Sequence, residues 1–200
     1  MTRIDLLRAS ASSCWVGWHD GSLDLNHSDH VGLIRGGVAA GSARWADLGA
    51  GRGAFTLALA DVLGPGAEVT AVDRDTSALR ELADSMKRRF PETRLTTMAA
   101  DLAHPLDLHD LDGVLMANSL HFFKDKPAVL GMVRGLLAPS GRLLLVEYGA
   151  DRGNPWVPHP LSFEKWRALS EREGFANTQL LATVPSRFLG SIYSAVSLVA

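Results

Sequence analysis

Cysteine is nearly absent from this chain. With Cys14 alone among 200 residues, no internal disulfide can form, and no Cys/His spacing suits zinc. A basic surplus is lacking too. Twenty lysines and arginines stand against 22 acids, a formal charge of −2, so the electrostatic grip that dominates nucleic-acid binding is missing and no nucleic-acid partner is expected. Long apolar runs are likewise wanting, for no stretch approaches the roughly 18 residues that cross a bilayer, and the opening Met1–Arg8 contains an acid rather than a leader's apolar centre. The expectation is a cytoplasmic protein without membrane insertion, with a homodimer left open. What the chain does have is apolar substance. At 46% hydrophobic and 21% charged residues it has material for one sizeable core, hence one domain.

That domain is organised around Arg44-Trp45-Ala46-Asp47-Leu48-Gly49-Ala50-Gly51-Arg52-Gly53-Ala54. A short apolar run holding one acid breaks into a glycine-rich turn and then a helix, which is how a nucleotide cradle is built. Gly49 and Gly51 admit backbone angles closed to other residues and let a ligand approach the main chain. The spacing Gly49-x-Gly51-x-x-Ala54 also satisfies the dinucleotide fingerprint. Asp47 decides against it. An acid two residues before the first glycine is a poor neighbour for a pyrophosphate and a natural acceptor for an ammonium group.

Beyond the loop, apolar periodicity alternates as in repeated βα units, which predicts a mainly parallel sheet covered on both faces. Helices are predicted over about 53–63, 76–90 and 125–137, with strands over about 68–72, 94–99, 112–117, 141–148, 176–183 and 191–199 and a further helix carrying Phe163, Trp166 and Leu169. The second strand ends at Asp73, 22 residues beyond Gly51. A strand-end acid at that distance accepts hydrogen bonds from the hydroxyls of a ribose held by the loop.

Ala46-Asp47-Leu48-Gly49-Ala50-Gly51-Arg52-Gly53 resembles the first motif of class I S-adenosylmethionine-dependent methyltransferases, and Leu137-Ala138-Pro139-Ser140-Gly141-Arg142-Leu143-Leu144 resembles a later segment of that superfamily. The resemblance implies a Rossmann-like, doubly wound α/β sheet of seven strands, ordered 3-2-1-4-5-7-6 with the last antiparallel. It implies S-adenosylmethionine as cofactor, held by Asp47, Gly49, Ala50, Gly51, Asp73, Arg74, Asp101, Leu102 and Asn118. Within that set Asp47 serves the methionine end, the glycines the ribosyl portion, and Asp101 with the Leu102 backbone the adenine. The Asn-Pro-Pro-Tyr motif of many methyltransferases acting on bases and glutamine is absent. With no basic surplus, a short loop after the fifth strand and two tryptophans in the first forty residues, a small, partly apolar acceptor is expected. The competing readings are a nicotinamide-dependent oxidoreductase, weakened by Asp47, Asp101 and the lack of a Tyr-x-x-x-Lys pair, and a non-enzymatic cofactor-binding subunit.

For chemistry the candidate is His121, in Asn118-Ser119-Leu120-His121-Phe122-Phe123 at the end of the fourth strand. An imidazole, with an ordinary pKa of about 6.5, suits removal of a proton from a phenol or similar acceptor. Packing beneath Phe122 and Phe123 as a structural donor is the alternative. Residues 1–40, with glycines scattered among histidines and aromatics, read as a cap over a 41–200 core. Trp15, Trp18 and His19 of the cap, together with Phe122 and Trp156, are candidate acceptor contacts, as are His27, His30, Asn154 and His159. No metal site is expected, since His27 and His30 lack further ligands at suitable spacing.

Overall fold

The computed structural model describes residues 25–41, 43–186 and 188–200. Trp15, Trp18 and His19 lie outside the described residues. Seven strands form one sheet, β1 (Arg44–Leu48), β2 (Glu68–Asp73), β3 (Arg94–Ala99), β4 (Leu111–Ala117), β5 (Leu137–Tyr148), β6 (Phe175–Ser186) and β7 (Gly190–Val199), in the order β3-β2-β1-β4-β5-β7-β6. The first five run parallel, and β7 pairs antiparallel with both β5 and β6. This is the expected architecture.

The sequence makes both faces of the sheet greasy because successive strand residues point to opposite sides. Val114, Met116, Leu143 and Leu145 pack on one side with Val129, Leu130 and Val133 of α4 (Lys126–Leu136) and Trp166 of α5 (Phe163–Arg172). Their neighbours Leu115, Ala117, Leu144 and Val146 pack on the other with Phe55, Ala58 and Leu59 of α2 (Ala54–Leu63). A third cluster joins α2 to Leu79, Leu82 and Met86 of α3 (Thr76–Arg89). Asp75 caps α3 by accepting from the backbone N–H groups of Ser77 and Ala78.

Two segments differ from the sequence expectation. Within the stretch read as a cap, His27–Ile34 forms a helix, α1, and Leu33 and Ile34 are buried in the same cluster as Phe55 and Leu144. Its start is written in a capping box, Asn26 accepting from the Asp29 N–H while the Asp29 carboxylate accepts from the Asn26 N–H. The described part of residues 1–40 is thus a piece of the core, at roughly 1.5–3 kcal/mol of burial per aliphatic side chain. The second difference is that β5 begins at Leu137 rather than near 141. Leu137 pairs with Leu111 and pairing resumes at Arg142 with Gly113, so Ala138–Gly141 is a bulge that absorbs the Pro139 a regular ladder would reject.

Candidate functional site

The carboxyl ends of β1, β2 and β4 and the loops beyond them enclose two adjoining cavities, of about 330 and 520 Å³. Gly49, Asp73, Asn118 and Phe122 line both. The smaller cavity collects Arg74, Ala100, Asp101, Leu102 and Phe123. Asp101 is exposed there, its carboxylate accepting from the Ala103 N–H, and Leu102 is buried. The larger one takes in Asp47, Ala50 and Gly51 and then widens between Leu25, His30, Phe55, His121, Tyr148, Trp156, Val157, Phe188 and Ile192.

Asp47 is 1% exposed, and burial pushes its carboxyl up to about 7, Asp73 adding to the rise and the Thr56 hydroxyl opposing it. That hydroxyl donates to Oδ2 at 2.6 Å, and Oδ1 has no partner. An unpaired buried carboxylate oxygen is costly unless a donor arrives. Asn118 likewise holds an unpartnered Oδ1, at a positive φ of 51°. Gly51, at φ +52°, has open space where a side chain would stand. Asp73 accepts from the N–H of Gly51 at 2.8 Å and of Asp75 at 2.9 Å, so it braces the glycine loop while each oxygen keeps a lone pair for a ligand. Two orphan acceptors and a bare backbone fit a cofactor with a cationic amino group and a ribose.

His121 sits in a single 3-10 turn, Leu120–Phe122, at the mouth of β4. Its ring Nδ1 lies 2.9 Å from Oε2 of Glu147 and its backbone N–H donates to Oε1 at 2.9 Å. Ala117, the last residue of β4, pairs with Val146, so Glu147 continues β5 alongside the turn that follows β4 and meets His121 there. Both side chains are buried, His121 at 2% and Glu147 at 0% exposure. A carboxylate on Nδ1 fixes that nitrogen as the donor and leaves the Nε2 lone pair free. Tyr148, which meets the imidazole edge-on, has its phenol raised by burial and by Glu147.

Other expected contacts are redistributed. His27 pairs with Asp61 of α2 instead of lining a cavity. His30 lines the larger cavity with its ring tilted against Phe55, and burial, then His27, lower its pKa against the pull of Asp29. Trp156, 52% exposed, stands on the cavity wall. The Asn154 side chain accepts from the N–H groups of Trp156 and Val157, and His159 contributes backbone while its ring is exposed. Sequence reading missed Glu147, although an acid inside the run Leu143–Tyr148 was a visible signal, and it missed Thr56, Lys126 and the β6–β7 wall of the cavity.

Residues 46–143 match the model of a family described as a methyltransferase domain. A reducing polyketide synthase from a Penicillium species is 28% identical over 165 residues, 70% of this chain and 7% of that protein. The carboxy-S-adenosyl-L-methionine synthase of Chromohalobacter salexigens is 26% identical over 140 residues, 67% of this chain and 50% of that one. This chain therefore spans half or less of these curated relatives. A candidate O-methyltransferase from Nostoc punctiforme has the same fold, with a TM-score of 0.70 at 22% identity over 86% of this chain and 57% of that one. The sheet order, the loop after β1 and the methyltransferase-domain match over residues 46–143 carry one conclusion, that the chain has a methyltransferase-like α/β fold and is similar to class I S-adenosylmethionine-dependent methyltransferases.

Proposed function

We propose that this chain transfers the methyl group of S-adenosylmethionine to a small, largely apolar acceptor whose reacting atom carries a proton. The observation that carries the reading is the buried His121–Glu147 pair on the wall of the larger cavity. S-adenosylmethionine, when bound, supplies an electrophilic methyl group on a sulfonium. Asp47 would take the ammonium of its methionine end, Asp73 the ribose, and Asp101 with the Leu102 backbone the adenine. Asn118, at the junction of the two cavities, turns an unpaired carbonyl toward developing and vanishing positive charge. His121 receives the acceptor's proton on Nε2, and Glu147 holds the ring in place and stabilises the imidazolium that forms.

The acceptor half supports the choice of substrate. Leu25, Phe55, Tyr148, Val157 and Ile192 form an apolar surface there, with the carboxylates confined to the cofactor half. A flat, uncharged molecule buries its faces in such a space and presents one polar edge to His121. The proposed setting is the cytoplasm, in keeping with a chain whose one cysteine is Cys14.

The test is methyl transfer from labelled S-adenosylmethionine into fractionated metabolites, protein and nucleic acid. Label is expected in the small-molecule fraction, and label in polymer alone would refute the acceptor class. His121→Gln should lower turnover by about two to four orders of magnitude while cofactor affinity stays within about twofold. Full turnover in that variant would reduce His121 to a packing residue.

A further inference from the structure

Lys126 stands against two preferences at once. Cations are favoured at helix C-termini, where the macrodipole is negative, and lysine is seldom buried. Lys126 is the first residue of α4 and is 8% exposed. Neither the helix nor the core gains from a cation there, so its value lies in what the ammonium touches. Nζ donates to the carbonyl of Phe123 at 2.9 Å and to that of His159 at 2.7 Å.

Those carbonyls belong to two different segments. Phe123 directly follows the turn that holds His121, and His159 lies in the loop between β5 and α5. A further bond joins the same two segments, the His159 N–H donating to the His121 carbonyl at 3.0 Å. The loop is organised internally by Asn154, whose side chain holds the Trp156 and Val157 N–H groups, and at its far end by Asp151, which accepts from the Ser162 N–H. Its side-chain tie to the turn of the base is the Lys126 bridge. Burial pulls the ammonium below its ordinary pKa, while the Glu147 carboxylate counteracts that pull and so lies within electrostatic reach.

We propose that Lys126 is a positioning residue of the acceptor site, its buried ammonium clamping the loop that carries Trp156 and Val157 to the turn that carries His121. The inference rests on the reading of the larger cavity as the acceptor site. An ammonium suits the task because it has three donors and no acceptor, and so bridges two carbonyls that an apolar chain would leave unpaired. The distance between the cavity wall and the base is thereby set by this side chain together with the His159 N–H bond to the His121 carbonyl. The polar cofactor contacts, Asp47, Asp73, Asp101 and Asn118, come from other segments, so the clamp acts chiefly on the acceptor half.

The experiment compares the full-length chain with Lys126→Met, using S-adenosylhomocysteine as probe of the cofactor half and 2-naphthol, an uncharged aromatic acid, as probe of the acceptor half. Amide exchange over 152–160 is expected to quicken about tenfold or more, and 2-naphthol to bind about tenfold more weakly, with S-adenosylhomocysteine affinity within about twofold. In a Cys14→Ser background, Lys126→Cys alkylated to aminoethyl-cysteine should recover both properties. A merely structural lysine would instead loosen α4 and β5 as much as the loop and weaken both probes alike, and that result overturns the proposal. So does unchanged exchange over 152–160, or unchanged naphthol binding despite a loosened loop. Lys126→Gln, whose shorter, uncharged side chain ends in one amide nitrogen that does not reach both carbonyls, replaces the methionine variant if the latter does not fold and is judged by the same outcomes. Failure of 2-naphthol to bind the wild-type chain would count against the acceptor reading, and exchange over 152–160 would then decide for or against the clamp.

Discussion

Asp47 makes the sharpest demand of any residue on the site. Its carboxyl titrates near 7 in the folded chain against an ordinary 3.8, so the native state binds a proton that the unfolded chain has released. Stability from this group is therefore highest below about pH 4 and falls as pH rises toward 7, levelling beyond it. A ligand ammonium reverses the sign, because it favours the ionised form. Calorimetry in two buffers of different ionisation heat should show proton release on S-adenosylmethionine binding at pH 6, and little at pH 8.5. Asp47→Asn should weaken binding by roughly 1.5–3 kcal/mol, abolish the proton release, and leave the empty protein as stable or more so at pH 8. Unaltered proton release in that variant would assign it to another group. Asp47 and Asp73 were legible in the sequence because each is a lone acid closing an apolar strand. Glu147 carries the same mark, yet its partnership with His121 depends on the register that sets Ala117, the end of β4, beside Val146, a long-range pairing that no local pattern encodes.

Among the elements, the loop between β1 and α2 separates two duties that its glycines share in sequence. Gly53, at φ +88°, packs so closely on Leu82 that a methyl group there would collide with it, whereas Gly51, at φ +52°, faces open cavity. Gly53→Ala should accordingly lower the melting temperature, by several degrees at about 1–3 kcal/mol for overpacking, and spare cofactor affinity in the folded fraction. Gly51→Val should do the reverse, keeping a native circular dichroism spectrum at a strain cost of about 1–2 kcal/mol while losing S-adenosylmethionine binding. Binding at wild-type strength in Gly51→Val would make the loop a plain turn. The elements with strong periodicity, α2 to α5 and the strands they cover, were readable because one apolar pattern decides each. The start of β5 was not, since Pro139-Ser140-Gly141 is a turn signal whether the chain ends a helix or bulges within a strand. Short α1 was obscured by Gly32, Gly36 and Gly37, although Asn26 and Asp29 stood at capping-box spacing.

At the scale of the whole molecule, the proposed cofactor cradle and the proposed acceptor chamber draw on different parts of the chain, and α1 links the larger cavity to the core. Every cavity residue assigned to the cofactor lies between 47 and 123, whereas the acceptor half also takes Leu25 and His30 from the N-terminal side and Tyr148 to Ile192 from the other. Helix α1 places His30 on that chamber and, along the same face, buries Leu33 and Ile34 in the cluster of Phe55 and Leu144. The backbone of Gly37 then passes so close to Leu144 that the segment cannot be lifted without opening the sheet's face. Truncation should therefore act in two stages. A chain beginning at Leu25 retains every described contact and should bind S-adenosylmethionine within about threefold of the full chain. A chain beginning at Val38 loses the buried Val31, Leu33 and Ile34, roughly 2 kcal/mol each, and at about 2–4 °C per kcal/mol should melt at least about 10 °C lower, with the shortfall only partly recovered by saturating cofactor. Equal melting temperatures for the two truncated chains would mean that α1 is a detachable lid after all, and the core would have to be redrawn to begin at β1.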